Sequence, residues 1–132
     1  MSKESRQIAP DIRSGYNATG STISAYRVVV RNTSNQEGIA LPAANTDVTF
    51  GVTMHDIANL TRGDIAVGGR VKVCAAAAIT DGVAVTMDTA GKVLAWTAGA
   101  ARAVVGVAQS AASADGDIIE VELAKPGSFG VS

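Results

Sequence analysis

Two stretches of this chain repeat one another. Phe50-Gly51-Val52-Thr53-Met54, then Ala58, then Gly63-Asp64-Ile65-Ala66-Val67 is echoed by Val105-Gly106-Val107-Ala108-Gln109, then Ala112, then Gly116-Asp117-Ile118-Ile119-Glu120-Val121. Gly51 to Gly63 spans twelve positions and Gly106 to Gly116 spans ten, so the first copy reads as carrying a two-residue insertion. Each copy reads as a short strand, a small connection, a Gly-Asp turn and a second strand. Two copies fall short of the roughly three that an open solenoid needs to bury a continuous core. The repeat therefore points to one closed β-domain with internal pseudo-symmetry.

A chain of 132 residues suits a single domain, and one of this length buries about two-thirds of its unfolded surface. The apolar share is 47% but aromatics make up only 4%, so the interior must come from valine, isoleucine and alanine. At about 25 cal/mol per Å² these small side chains contribute less per position than leucine or phenylalanine. Such a domain gains from a partner surface. The formal net charge of −1 argues against a nucleic-acid binder driven by counterion release. Charge is nevertheless uneven: residues 1–31 hold Lys3, Arg6, Arg13, Arg27 and Arg31 against Glu4 and Asp11, and residues 103–132 hold Asp115, Asp117, Glu120 and Glu122 against Lys125. The two ends would attract each other between neighbouring copies, or simply form solvated surface, since exposed ion pairs contribute only about 0–1 kcal/mol. A lone cysteine, Cys74, permits no internal disulfide and no zinc cluster. The opening residues lack the apolar stretch of a signal peptide, and the run Val73 to Ile79 is far below the roughly 18 residues that span a bilayer. The expectation is a soluble protein, made in a cytoplasm, with no membrane partner.

Residues 1–25, rich in Ser, Thr, Asn and Gly, read as an extended N-terminal arm, and residues 26–132 as a single β-rich domain. Tyr26 to Arg31 is a strand bounded by the loop cluster Asn32-Thr33-Ser34-Asn35. Val48, Phe50, Val52 and Met54 alternate with polar or small residues and share one strand face. Ile57 to Arg62 suits one helical turn, and Gln109 to Asp115 a short helix that is marginal at that length. Arg70 to Ala77, Val83 to Met87 and Lys92 to Trp96 read as successive strands, with Asp81-Gly82 and Asp88-Thr89-Ala90-Gly91 as turns of an antiparallel meander. Arg102 to Ala108 and Asp117 to Leu123 complete the set. The fold class is mainly β: a small antiparallel β-barrel or β-sandwich with an internal pseudo-repeat, at most one or two short helices, and the arm.

No catalytic constellation emerges. A hydrolase needs a nucleophile, a base and a group that orients the base, and the only histidine, His55, sits in a connection with no local signature tying it to Cys74. Asp115, Asp117, Glu120 and Glu122 raise the question of calcium, which takes six to eight oxygen ligands from a tight loop; Glu120 and Glu122 instead project from the outer face of a strand, and a turn explains Asp115-Gly116-Asp117. Arg62-Gly63-Asp64 spells an adhesion tripeptide, but the second copy keeps only Gly-Asp, which a turn also explains. The glycines match neither a phosphate loop nor a dinucleotide fingerprint. No catalytic residue, cofactor or metal site is expected. Trp96, the one tryptophan, suits core or inter-subunit packing.

Taken together, Gly51-Val52-Thr53-Met54-His55-Asp56, Gly63-Asp64-Ile65, Ile79-Thr80-Asp81-Gly82, Asp88-Thr89-Ala90-Gly91-Lys92-Val93, Val105-Gly106-Val107-Ala108 and Gly116-Asp117-Ile118-Ile119-Glu120-Val121 resemble the capsid cement or decoration proteins of tailed bacteriophages, over about residues 45–125. The resemblance implies a β-rich structural virion protein, not an enzyme, that sits on the outer capsid surface, binds the major capsid protein and locks neighbouring capsomers, synthesised in the cytoplasm of a bacterial host. It further implies a homo-oligomer, with a trimer as the expected form. The arm would reach a neighbouring subunit by strand addition, and the capsid or inter-subunit contacts expected are Arg13, Tyr16, Tyr26, Arg27, Val28, Val30, Arg31 and Trp96. A tail or baseplate module, with or without carbohydrate binding, is the alternative; it would call for exposed aromatics, of which the chain has few.

Overall fold

The computed structural model describes residues 11–44, 47–96, 102–124 and 129–130. Every element among them is a strand. The first five, β1 (Asp11–Asn17), β2 (Val28–Asn32), β3 (Gly38–Ala40), β4 (Thr49–Thr53) and β5 (Thr61–Gly68), close into a barrel in the order β1-β3-β2-β4-β5. The next group is β6 (Arg70–Cys74), β7 (Ala84–Met87), β8 (Val93–Ala95), β10 (Gly106–Ala108) and β11 (Ile118–Leu123), in the order β6-β11-β10-β7-β8. A short pair, β9 (Arg102–Ala103) with β12 (Phe129–Gly130), stands apart.

The second sheet has the wiring of the first. Substituting β6, β7, β8, β10 and β11 for β1, β2, β3, β4 and β5 reproduces four of the five neighbour relations of the barrel; the fifth, β1 with β3, has no strand pairing between β6 and β8, which are the two edges of an open sheet. The parallel β1–β3 pairing has its counterpart in a parallel bridge from Ala75 to Val93, which draws β6 and β8 together. An isolated antiparallel bridge also recurs, Ile23 with Ile57 in one half and Ile79 with Ala112 in the other, each held by two reciprocal main-chain hydrogen bonds of 2.8–3.0 Å. The chain is thus one five-stranded plan used twice, closed into a barrel in the first copy and left as an open sheet in the second, and the sequence echo is the second half of each copy.

The glycines of the echo mark where strands come closest. A Cβ on Gly51 would run into the carbonyl oxygen of Ala66 and lie 2.6 Å from Cγ2 of Ile65; one on Gly106 would run into the carbonyl oxygen of Glu122 and lie 2.8 Å from Cγ1 of Val121. The obstacles occupy equivalent places on β5 and β11. The other half of the echo is out of step. Gly63 and Asp64 lie within β5, opposite Gly15 and Ser14 of β1, not in a turn. The turn that matches Gly116-Asp117 is Leu60-Thr61: Thr61 N–H donates to Ala58 O as Asp117 N–H does to Ala114 O, and Leu60 and Gly116 both have left-handed backbones, with φ of 65° and 97°. Measured from Gly51 and Gly106, the second copy is longer by one residue, instead of the first by two.

Three further expectations are corrected. Residues 11–17 are not an arm but a barrel strand paired with β5 along its length; residues 1–10 lie outside the described residues. Ile57 to Arg62 and Gln109 to Asp115 are bridge-and-turn segments without helix, because the main-chain groups of Ile57 and Ala112 are committed across the barrel. β7 and β8 do form a hairpin, but β6 pairs with β11 and not with β7.

Burial follows the duplication. Ile23, Val29, Ile39, Ile57 and Ile65 fill the first barrel. A larger cluster joins Val28, Val52 and Ala66 to Val73, Val85, Met87, Val93, Ile119 and Val121 of the second half. β5 passes into β6 through Gly69 alone, whose φ is 86° and whose carbonyl accepts from Leu123 N–H at 2.8 Å. Sharing a core and nearly a strand, the two halves make one stiff body.

Candidate functional site

The pleat alternates side chains across a strand, but an extra residue in one strand of a pair breaks the alternation and re-aims the side chains beyond it. This happens twice at one end of the first barrel. On β4, Val30 faces Thr49 and Val29 faces Gly51, leaving Phe50 as the extra residue. On β5, Asp11 faces Gly68 and Ile12 faces Ala66, leaving Val67 as the extra residue. The expected face of Val48, Phe50, Val52 and Met54 is accordingly split: Val52 is buried in the shared core, Phe50 and Met54 are half-buried, and Val48 is 61% exposed.

Phe50 and Val67 line a surface groove of about 400 Å³ together with Val48, Thr49, Arg13 and Arg31. The groove lies where β1 begins, β2 and β5 finish and β4 starts. Arg31 stacks its guanidinium over the Phe50 ring, 5.6 Å from the centroid, a cation–π arrangement that fixes the charge at the groove wall. Ile12, 51% exposed, lies on β1 one residue before Arg13. Among the described residues neither Arg13 nor Arg31 enters an ion pair, unlike Arg62, Arg70 and Lys92, which bond to Glu37, Glu120 and Asp115. Among the described residues β3 covers only Tyr16 and Asn17 of β1, so the edge of β1 before them is unpaired on that side and runs beside the groove. An apolar floor and, among the described residues, an unpaired strand edge and two positive charges without an ion-pair partner make this the surface best built to receive another chain.

The remaining contact residues expected from sequence scatter. Tyr16 is half-buried under the Arg62 guanidinium, 5.5 Å from its ring centroid. Tyr26 borders a different cavity of about 280 Å³, where β4 and β5 meet β6, lined also by Met54, Arg70 and Lys72. Arg27 is half-buried and donates to Ala90 O at 3.2 Å, tying the halves together. Val28 is fully buried in the shared core and offers nothing to a partner; its place on β2 alternates it inward, opposite Val52. Val30 packs on the edge of that core, and Trp96 is half-buried with its N–H donating no hydrogen bond among the described residues. The structure unites Arg13 and Arg31 and adds Ile12, Val48, Phe50 and Val67. The sequence signal for those four is only their apolarity, because the bulges that expose them leave no local mark.

The candidates for chemistry are engaged elsewhere. His55 Nε2 accepts from Asp64 N–H at 3.2 Å and Nδ1 lies 3.0 Å from Asp56 O, so the ring fastens a loop to β5. Cys74 is buried. Asp117 accepts from the N–H groups of Ser113 and Ala114, Asp115 holds Lys92, and Glu120 pairs with Arg70. Among the described residues no group of three or more His, Cys, Asp or Glu gathers to hold a metal.

Comparison with known proteins adds two findings. The family model described as "Phage cement protein" matches residues 12–123, which takes in the barrel and the second sheet. Among solved structures, the N base of the head fiber protein gp8.5 of bacteriophage phi29 is similar, with a TM-score of 0.69 and 19% identity over 89% of this chain and 98% of that one. No curated protein matches.

Proposed function

The chain belongs to the phage cement protein family, a family of phage capsid structural proteins, and we propose that it binds the outer surface of the phage head and ties neighbouring capsomers together, with the major capsid protein as its partner. The observation that carries this is the extent of the family match, which spans the duplicated body from the first strand of the barrel to the last strand of the second sheet.

The physics of the body suits the task. A barrel and a five-stranded sheet on one shared core form a rigid block, so a contact at one end is felt at the other. A patch of about 800 Å² per partner is an ordinary size for specific recognition. Once one contact is made, a second to the adjoining capsomer is effectively intramolecular, and the pair holds far more firmly than either alone. Extreme affinity per copy is unnecessary when many copies act on one shell. Self-association into a trimer belongs to the same reading and is tested by light scattering of the purified chain.

The test is to mix purified protein with expanded, undecorated heads, sediment them, and then heat the decorated and bare heads. Saturable binding with a raised temperature of DNA release supports the reading. Protein that stays in the supernatant, or binds without changing head stability, refutes it.

A further inference from the structure

We propose that the groove at the end of the first barrel takes an extended acidic segment of the shell protein, with one apolar side chain seated between Phe50, Val67 and Val48 and carboxylates on either side engaging Arg13 and Arg31. This rests on the capsid-binding reading and deepens it by naming the chemistry of the partner segment.

Three observations converge. The floor is apolar, and its two bulged residues are aimed into the groove by the strand geometry, so burying an apolar side chain there needs little rearrangement. Arg13 and Arg31 stand on different strands of the wall, and the nearby acids do not answer them. Asp47 turns its carboxylate into its own loop, accepting from the N–H groups of Ala43 and Ala44, and Asp11 sits over Gly68. A protein with a net charge of −1 that keeps two arginines without an ion-pair partner among the described residues, beside exposed apolar side chains, is complementary to an acidic partner. The edge of β1 beside the groove, unpaired among the described residues, favours an extended chain, whose main chain pairs there while its side chain points into the floor. A sugar or a nucleic acid fits less well, since the groove offers one aromatic ring and only two positive charges.

Two measurements on the full chain test this. A photo-crosslinking amino acid at Val48, irradiated on decorated heads and analysed by peptide mass spectrometry, is expected to capture a shell-protein peptide with Asp or Glu on both sides of an apolar residue. In parallel, Arg13→Glu with Arg31→Glu is expected to weaken binding to heads by at least about 100-fold at low salt and to invert its salt dependence, since added salt then screens a repulsion, while Arg13→Gln with Arg31→Gln weakens binding less and flattens the salt dependence. All four substitutions are at exposed positions, and circular dichroism confirms folding. Capture of a basic or neutral shell peptide, or of a second copy of this chain, overturns the proposal, as does unchanged affinity of the charge-reversed variant on heads that the parent chain binds. Failure of the parent chain to bind heads at all is a different result, which removes the capsid-binding reading and this proposal with it.

Discussion

Replacing Gly51 or Gly106 with alanine tests the duplicated barrel where it is tightest. In an ordinary strand this change is harmless or helpful, because alanine restricts the unfolded chain and stabilises by about 0.4–1 kcal/mol. Here the added methyl meets the carbonyl oxygen of Ala66 or Glu122, a main-chain atom in a paired strand that cannot rotate aside, and also crowds Ile65 or Val121. Overpacking of this kind costs about 1–3 kcal/mol, and the rigidity of the obstacle places both sites in the upper part of that range. Subtracting the gain in the unfolded state leaves a net loss of about 1–2 kcal/mol for each variant. At roughly 4 °C per kcal/mol for a chain of this size, Tm falls by about 4–8 °C. The assay is thermal and urea unfolding by circular dichroism, with the midpoint lowered and the urea slope unchanged. Because the two sites have the same local structure, their losses should agree within about 0.5 kcal/mol, the scatter expected of independent sites. Either variant with a raised Tm, or one affected and the other not, would refute the equivalence.

Other substitutions probe the same geometry. Leu60 holds a left-handed backbone that costs a non-glycine residue about 1–2 kcal/mol, and its side chain is 64% exposed; Leu60→Gly should raise the urea midpoint, with a net gain of about 0.5–1 kcal/mol after the added freedom of the unfolded chain. Asn17 is buried, donates to the carbonyls of Ser21 and Ile57, both at 2.8 Å, and accepts from Thr19 N–H at 3.0 Å, so Asn17→Ala removes these bonds and should cost about 1–2 kcal/mol in urea unfolding. The hydrogen bond from Lys92 to Asp115 raises the Lys92 pKa above 10.5; a raised lysine pKa contributes stability below the unfolded value that is lost as pH climbs through the folded one. The difference in unfolding midpoint between the parent chain and Lys92→Met should therefore hold at about pH 9 and shrink by about pH 12.

The repeat is legible in the sequence because one physical constraint acts twice: a carbonyl that leaves no room for a Cβ selects glycine at positions 51 and 106 alike. Its turn half misleads because Gly63-Asp64 resembles Gly116-Asp117, whereas the true counterpart of Gly116 is Leu60, which reaches the left-handed region without being glycine. β1 is hidden for another reason. Asp-Ile-Arg-Ser-Gly-Tyr-Asn lacks a β-branched run, and its extended state is imposed by pairing with β5, with Gly15 fitted closely over Ile65 and Ile39. Charge picks out Arg13, expected in the arm, and Arg31, expected on a strand, and the two line one groove. They do not pick out Phe50, Val67 and Val48, since period-two alternation presumes an unbroken ladder and both bulges interrupt it.

On the proposed function this body works by its outer surface, joining one shell subunit to the next. A cryo-electron microscopy reconstruction of heads saturated with the purified protein addresses it directly. Density on the outside of the shell, each copy touching two capsomers, is the predicted result. Density confined to the tail or the interior, or copies resting on a single shell subunit, would contradict it.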